Sequence, residues 1–261
     1  MKYFDSHAHY WDDRLMGQSE LLPHLFDTSV SHIINVATDP DTCRLTVNQA
    51  QAYPRMYTAL GIHPSDCQNL TGEPEDYLPD LRALITDPAS KCVAVGEIGL
   101  DYYWQPVDYD RQRRFFEAQL AMAEELDLPV VIHDRDAHGD CFDTVCKYPR
   151  VRGVFHSYSG SAEMAKDLIR RGWYISFSGT VTFKNARKVR EVAAALPHGR
   201  VLIETDAPYL TPHPHRGECN HSGYLAFTNA ALAEVWGISE EETARITAEN
   251  ACRLFGIPSA E

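Results

Sequence analysis

Phe4-Asp5-Ser6-His7-Ala8-His9 is the stretch on which the interpretation of the whole chain depends. Alternate side chains of an extended strand point to the same face. If the strand continues through residues 3–9, His7 and His9 share a face, about 7 Å apart along the chain. Two converging imidazoles suit a metal site, whereas an isolated His-x-His is more often a pair of half-exposed side chains in a turn. The other candidate ligands decide between these interpretations.

Eight short runs of β type recur along the chain, separated by longer helical segments. Val130–Ile132 and Val201–Ile203 are apolar throughout, which is typical of strands buried on both faces of a parallel sheet. The predicted strands are Lys2–Asp5, His32–Ala37, Met56–Ile62, Cys92–Ile98, Pro129–His133, Gly153–His156, Trp173–Phe177 and Val201–Thr205. Their alternation with helices about every 30 residues indicates βαβ units. Eight such units predict the α/β class and a closed (β/α)8 TIM barrel, for which 261 residues is a usual length.

The segments between the strands carry the periodicity of amphipathic helices. The predicted helices are Arg111–Leu126, Ser161–Arg171, Lys184–Leu196, Tyr224–Val235 and Glu240–Phe255. The sequence shows no linker, low-complexity segment or second hydrophobic core pattern. Residues 1–261 are therefore predicted to form a single domain.

Composition limits the partners and the compartment. A net charge of −13 argues against a long positive track for duplex nucleic acid, although bound divalent cations would still allow an anionic substrate. No stretch approaches the roughly 20 apolar residues of a membrane span, and the first residues lack the apolar run of a signal peptide. The seven cysteines are scattered and form no C-x-x-C, so no disulfide framework or zinc ribbon is predicted. We expect a cytoplasmic monomer without a membrane partner.

Polar side chains stand at the ends of six predicted strands, on the barrel face that carries the chemistry. Burying so many polar groups without partners would cost free energy, which favours one shared site over separate buried residues. The predicted metal ligands are His7, His9, Glu97, His133, His156 and Asp206. Six ligands exceed what one ion takes while it keeps an open position. Two divalent ions, Mg, Mn or Zn, are therefore predicted, with Glu97 as the bridge.

Further residues are predicted to support this site. Glu204 shares the inward face with Asp206 and is expected to orient a ligand histidine. His63, Arg135 and Arg216 are the predicted substrate contacts, the two arginines through phosphates. The aromatic run 102–104 follows the fourth strand, where it either stacks on a terminal base or packs against the neighbouring helix.

With these motifs the chain resembles the TatD family of metal-dependent deoxyribonucleases, a group of amidohydrolase-like barrels, over nearly its whole length. The stretches that carry the resemblance are Phe4–His9, Leu60–Pro64, Val95–Tyr103, Leu128–His133, Val154–Ser161, Leu202–Leu210, Thr211–Asn220 and Asn250–Phe255. The resemblance implies the same six metal ligands, with Asp206 also as the acid/base residue. It further implies divalent-metal phosphodiesterase activity, often exonucleolytic on DNA.

Two departures from the family pattern lie beside the expected substrate entrance. Asp134 stands where the family usually has Ser. His221-Ser222 stand where it usually has an acidic residue followed by Pro. Both departures bear on the substrate more than on the metal ligands.

The favoured function is phosphodiester hydrolysis by a deoxyribonuclease of the 3′–5′ exonuclease type, with Asp206 and Glu97 as catalytic residues. DNA ends or a small phosphodiester are the expected partners. The alternative is hydrolysis of a small C–N or ester substrate, as in other amidohydrolase-like barrels. Many of those bridge their metals with a modified lysine on the fourth strand, where this chain offers Glu97 and, at the strand's start, Lys91. A non-catalytic scaffold would predict missing ligands, and all six are present.

Overall fold

The computed structural model describes residues 1–258. Its strands are β1 (Tyr3–Ala8), β2 (Val30–Val36), β3 (Met56–Leu60), β4 (Cys92–Asp101), β5 (Val130–Arg135), β6 (Gly153–Phe155), β7 (Tyr174–Phe177) and β8 (Val201–Ile203). They form one eight-stranded sheet in sequence order. Parallel strands in this order, with helices between them, make a (β/α)8 TIM barrel, and the predicted fold class is confirmed.

The α-helices of the described residues fill the connections between strands and follow the last one. They are α1 (Asp13–Met16), α2 (Leu21–Thr28), α3 (Pro40–Ala52), α4 (Pro64–Cys67), α5 (Pro74–Thr86), α6 (Tyr109–Leu126), α7 (His138–Cys146), α8 (Ala162–Arg170), α9 (Arg187–Ala195), α10 (Leu225–Trp236) and α11 (Glu240–Phe255). Short 3₁₀ turns cover Pro88–Ser90, Gly179–Thr182, His198–Arg200 and Ser222–Tyr224. Within residues 1–258, no helix is long and apolar enough to cross a membrane.

Within the described residues, one compact unit contains residues 1–35 and 156–258. In it β8 lies beside β1, because the His9 N–H donates to the Ala207 carbonyl at 2.7 Å and the Asp206 N–H donates to the His7 carbonyl at 2.9 Å. The ring of Phe4 stacks on that of Phe255 in α11, with centroids 6.3 Å apart. This pairing holds the segment that carries His7 and His9 beside the segment that carries Asp206.

Residues 36–155 form the second compact unit. Helix α6 presents two buried glutamines seven residues apart, which places both on one helix face. Gln119 accepts from the Ile62 N–H at 2.7 Å and donates to the Ile62 carbonyl at 3.0 Å. Gln112 makes the same pair of bonds, both 2.9 Å, with the backbone of Asp101. Each glutamine therefore clamps the chain just where β3 or β4 ends.

Several predicted boundaries differ from those observed. β1 runs on through His7 and ends at Ala8, where the prediction ended it at Asp5. β4 extends to Asp101 because its ladder with β5 continues past Ile98, pairing Asp101 with Arg135. The predicted helix Lys184–Leu196 is shorter, Arg187–Ala195, because a 3₁₀ turn and further turn residues precede it. The single domain over residues 1–261 stays a prediction, and residues 259–261 lie outside the described part.

Candidate metal centre

His7 lies in β1 and His9 directly follows Ala8, the last residue of that strand, and the two rings meet on one side of the chain, as strand alternation predicts. Both side chains are buried, and their Nε2 atoms are 3.1 Å apart. The ring of His7 also stacks on that of His156, with centroids 4.1 Å apart. Three imidazoles thus meet within one unit, one from β1, one from the residue that follows β1 and one from the residue that follows β6.

Asp206 joins these imidazoles. Its Oδ1 lies 3.3 Å from His9 Nε2 and 3.6 Å from His7 Nε2. The residue lies three positions after the end of β8 and takes φ +57°, in the left-handed region that non-glycine residues rarely adopt. Burial by itself raises the pKa of Asp206, but the hydrogen bond from His9 and the charge of His7 outweigh it and leave the pKa below its usual value. The geometry therefore favours an ionised carboxylate.

Glu204 lies behind His156 and is almost fully buried. Its Oε1 is 3.2 Å from His156 Nδ1 and accepts from the Ser157 N–H at 2.9 Å, while Oε2 accepts from the Ser176 hydroxyl. A carboxylate on Nδ1 keeps the proton on that nitrogen and leaves Nε2 of His156 with a lone pair. This is the contact that the predicted orienting role of Glu204 requires, and its effect on metal binding stays a prediction.

Asp5 is a supporting residue that the sequence reasoning missed. Its carboxylate is buried and accepts from the Thr205 hydroxyl at 2.7 Å and the Ser222 hydroxyl at 2.6 Å. It also accepts from the backbone N–H of Thr205 at 3.0 Å and of His7 at 3.4 Å. Burial raises the pKa of Asp5 to about 6 even though these hydrogen bonds lower it. The available signal was its spacing of two from His7, which puts both residues on one strand face.

In the second unit, Glu97 and His133 come from the neighbouring strands β4 and β5. Glu97 Oε1 lies 2.6 Å from His133 Nδ1, and the Glu97 side chain is buried. The other ring nitrogen, Nε2, lies 2.8 Å from Asp101 Oδ2. Both ring nitrogens of His133 therefore face a carboxylate. A cation bound by Glu97 and Nδ1 would leave the proton on Nε2, where Asp101 accepts it.

Asp101 was quoted in a motif but was not predicted as a site residue. It lies four residues after Glu97, and this even spacing places both on the same strand face once β4 is known to extend that far. Burial raises its pKa, but the hydrogen bond from His133 and those from the N–H groups of Trp104 and Tyr103 outweigh it and lower the pKa overall. The predicted strand ended at Ile98, and Asp101, although it lay in the motif that follows, was not chosen as a site residue.

His63 lies against Glu97 as well, with Nε2 at 3.5 Å from Glu97 Oε1. Its Nδ1 accepts the Ser65 N–H at 3.1 Å, at the N-terminus of α4. In a neutral imidazole the proton then resides on Nε2, which is a donor and offers no lone pair to a cation. This tautomer agrees with a substrate-facing role more than with a ligand role, and the predicted substrate contact stays a prediction.

The two predicted substrate arginines are both exposed. The Arg135 guanidinium lies 3.9 Å from the ring centroid of Tyr103. The Arg216 guanidinium lies 4.0 Å from that of Phe183 and donates to the Thr211 carbonyl at 3.1 Å. Aromatic contacts hold both side chains in place. Their predicted roles toward substrate stay predictions.

Both departures from the family pattern have structural partners. Ser222 donates to Asp5 and, through its N–H, to the Tyr10 hydroxyl at 3.0 Å. Asp134 Oδ2 lies 2.8 Å from His138 Nδ1, at the start of α7. Each departing side chain therefore bonds to its own surroundings within the fold.

The donor chemistry of the two clusters fits bound divalent cations. Ligand atoms of His7, His156 and Asp206 all lie within 4.8 Å of one another, and so do those of His63, Glu97 and His133. In the second cluster Glu97 and His133 are the donors, since His63 presents an N–H. Imidazole nitrogens and carboxylate oxygens are the donors that Zn²⁺ and Mn²⁺ share. Carboxylates on the far nitrogens of His156 and His133 are the partners that metal-binding histidines usually have.

Comparison with known proteins agrees with this chemistry. The family model described as TatD related DNase matches residues 4–256. The uncharacterized metal-dependent hydrolase YabD of Bacillus subtilis is 40% identical over 258 residues, covering 97% of this chain and 99% of the relative. An uncharacterized metal-dependent hydrolase named TatD from Mycobacterium tuberculosis is 37% identical over 239 residues, 87% of each chain.

A solved structure is similar over the same extent. The crystal structure of YjjV, a TatD homologue from Escherichia coli, superimposes with a TM-score of 0.91 at 31% identity, covering 98% of both chains. The matches thus span the barrel and both ligand clusters. The chain belongs to the TatD related DNase family and is a metal-dependent hydrolase.

Proposed function

We propose that this hydrolase is a deoxyribonuclease that removes nucleotides from DNA strand ends, in the 3′–5′ direction. The observation that carries the proposal is a repeated carboxylate–histidine arrangement. Glu204 holds one nitrogen of His156, and Asp101 holds one nitrogen of His133, so each ring presents its other nitrogen to a cation. The family match supports a phosphodiester bond as the target.

We propose His7, His9, Glu97, His133, His156 and Asp206 as the ligands of two divalent ions, Mg, Mn or Zn. When bound, such ions supply Lewis acidity, which offsets the charge of a phosphodiester and lowers the pKa of water. The bridging role of Glu97 stays a prediction.

The chain's own residues then have separate tasks. Asp206 Oδ1, which faces His7 and His9, accepts the proton of the attacking water. The Nε2–H of His63 donates to a non-bridging phosphoryl oxygen, where negative charge grows as the bond to water forms. Arg135 and Arg216 hold flanking phosphates through charge-assisted hydrogen bonds.

The alternative, hydrolysis of a small C–N or ester substrate, is less well supported. Its usual bridging lysine would have to come from β4, and Lys91 precedes that strand. Lys91 Nζ donates to the backbone carbonyls of Ala50, Tyr53 and Pro54 at 2.8–3.0 Å. These bonds hold it at the N-terminal end of β4, whereas Glu97 and Asp101 lie toward the C-terminal end.

We also propose a cytoplasmic monomer. The cytoplasmic location is in keeping with seven cysteines that form no disulfide in the described residues.

A substrate panel tests the function. Protein loaded with Mg²⁺, Mn²⁺ or Zn²⁺ is incubated with end-labelled single-stranded DNA, a covalently closed circle of the same sequence, a nitrophenyl phosphodiester, a dihydropyrimidine and a lactone. We expect progressive shortening of the linear strand while the circle stays intact. Equal loss of both DNAs would make the protein an endonuclease, and turnover of the dihydropyrimidine or lactone alone would favour the alternative.

A further inference from the structure

We propose that Tyr103, Trp104 and Arg135 form a platform on which the unpaired base next to the scissile phosphate stacks. The inference rests on the proposed function and specifies its substrate as an unpaired nucleotide at a strand end. Below, "the platform" means these three residues. All three belong to the unit of residues 36–155.

The platform is exposed, and its members are in contact with one another. Tyr103 and Trp104 expose 50% and 58% of their surface, which is unusual for large aromatic residues. Their rings meet edge to face with centroids 5.0 Å apart. The Arg135 guanidinium lies 3.9 Å from the Tyr103 centroid and 5.5 Å from the Trp104 centroid. Aromatic faces and a cation are thus held together at the surface before any ligand binds.

The platform is tied to the candidate metal centre by one buried carboxylate. Asp101 Oδ1 accepts from the N–H of Tyr103 at 2.9 Å and of Trp104 at 3.2 Å. Its other oxygen, Oδ2, is 2.8 Å from His133 Nε2. On the Arg135 side, the Tyr102 N–H donates to the Arg135 carbonyl at 2.9 Å, and Arg135 lies two residues after His133 on β5. The distance from platform to His133 is therefore fixed by strand pairing and hydrogen bonds.

Tyr102 differs from its two aromatic neighbours. Its hydroxyl donates to Asp140 at 2.6 Å, and its ring packs edge to face on Tyr109 with centroids 4.7 Å apart. Residues 102–104 were predicted either to stack on a terminal base or to pack against the neighbouring helix, and these two interpretations apply to different residues. Tyr102 packs against α6 and α7, while Tyr103 and Trp104 face outward.

A nucleobase is the occupant that this surface fits. A flat π-system can stack on aromatic rings and on a guanidinium plane, and each base stacked in this way contributes about 1–3 kcal/mol in single-strand-binding proteins. A phosphate attached to that base would find the Arg135 guanidinium beside it. A base inside a duplex hides its faces against its neighbours, so the platform selects unpaired nucleotides.

The test compares two single-stranded oligonucleotides that differ only at the terminal nucleotide, which carries its base in one and is abasic in the other. The readout is the ratio of kcat/KM for removing the base-bearing terminus to that for removing the abasic one. For the parent protein we expect a ratio of about 5 to 150, the equivalent of one stacked base. We expect Trp104→Ala to bring this ratio close to 1, through KM, and Trp104→Phe, which keeps a ring, to restore most of it.

Tyr109→Ala is the matched control, since Tyr109 is an equally exposed aromatic residue outside the platform. It should leave the ratio at the parent value. An unchanged ratio in Trp104→Ala, or an equal fall in Tyr109→Ala, would overturn the platform. If the protein hydrolyses DNA but Trp104→Ala keeps the parent ratio, the platform is refuted and the proposed function is not. Failure to hydrolyse any DNA or nitrophenyl phosphodiester would refute the proposed function and the platform with it.

Discussion

Single hydrogen bonds decide which nitrogen each site histidine offers. A carboxylate lies on Nδ1 of His156 and another on Nε2 of His133, and we predict that the opposite nitrogen of each ring binds a cation, His133 together with Glu97. In His63 a backbone N–H occupies Nδ1, and the ring becomes a donor through Nε2. We therefore expect three histidines that look alike in the sequence to have two different chemical roles.

Asp206→Asn should lower kcat by about 10²–10⁴-fold, the usual contribution of a positioned proton acceptor. The fold should change little, because asparagine tolerates the positive φ of this position at least as well as aspartate. Steady-state kinetics with a nitrophenyl phosphodiester measures the loss, and circular dichroism checks the fold. Asp80→Asn, at an exposed position of α5, is the control. A kcat within a few-fold of the parent would remove Asp206 from the chemistry.

Glu204→Gln should weaken metal affinity about 10–100-fold, since the amide no longer accepts the His156 proton as a carboxylate does. Competition with a chelator measures the dissociation constant directly, without relying on activity. Glu75→Gln changes an exposed glutamate of α5 in the same way and should leave the affinity unaltered. Parental affinity in Glu204→Gln would show that the contact with His156 has no part in binding.

At the residue scale the sequence was enough to predict the candidate metal ligands. It was not enough to predict Asp5 and Asp101, the buried carboxylates that hydrogen-bond to residues around them. Strand ends and motif spacing pointed to His7, His9 and Asp206, which the structure brings together. Asp5 was missed because its partners Thr205 and Ser222 are about 200 or more residues away in the chain. Such long-range hydrogen bonds depend on the folded barrel, and no local pattern encodes them.

At the scale of elements, the close approach of β4 and β5 sets the geometry of the second cluster. Their register places Gly99 opposite His133, between the positions of Glu97 and Asp101. Gly99 has φ +147°, and a Cβ there would overlap the His133 carbonyl oxygen. A side chain at this position would push apart the two strands that carry Glu97 and His133.

Gly99→Ala should therefore lower the free energy of unfolding by about 3 kcal/mol or more, through overlap and an unfavourable φ. Gly139→Ala is the matched control in α7, where a Cβ would meet no atom within 4 Å. Helix propensity predicts that this change stabilises the protein by about 0.5–1 kcal/mol. Urea denaturation followed by circular dichroism measures both. Equal stability of the two variants would contradict the packing described for Gly99.

Helix and strand types were predictable because their periodicity is local, while their ends depended on tertiary pairing. Helix Glu240–Phe255 has its predicted bounds, since Ser239 caps its start and Gly256 its end. β4 runs three residues past its predicted end because β5 continues to bond it. Those three residues include Asp101, which supports His133 and was not among the predicted site residues.

At the scale of the whole molecule, the charge of −13 limits how DNA is held. With Arg135 and Arg216 as the two cationic side chains proposed to contact phosphates, affinity for a single strand should fall with salt at a slope of about −1.4 on logarithmic axes. Between about 50 and about 200 mM salt, KM should therefore rise only about sevenfold. A rise of several hundredfold would reveal a long basic track and contradict end recognition.

The fold of the whole chain was the most predictable feature. Alternation of eight apolar runs with helices leaves few topologies, because parallel strands need crossover helices of one hand. The pattern alone could not give the tautomers, the support by Asp5 and Asp101, or the exposure of Tyr103 and Trp104. These depend on which side chains the finished barrel brings into contact.

The metal content of the purified protein, measured by mass spectrometry after loading and exhaustive dialysis, tests the central claim most directly. We predict two divalent ions per chain for the parent protein and markedly fewer for Glu97→Ala, while Glu75→Ala matches the parent. Absence of metal from the parent, or two ions retained in Glu97→Ala with full activity, would contradict the account.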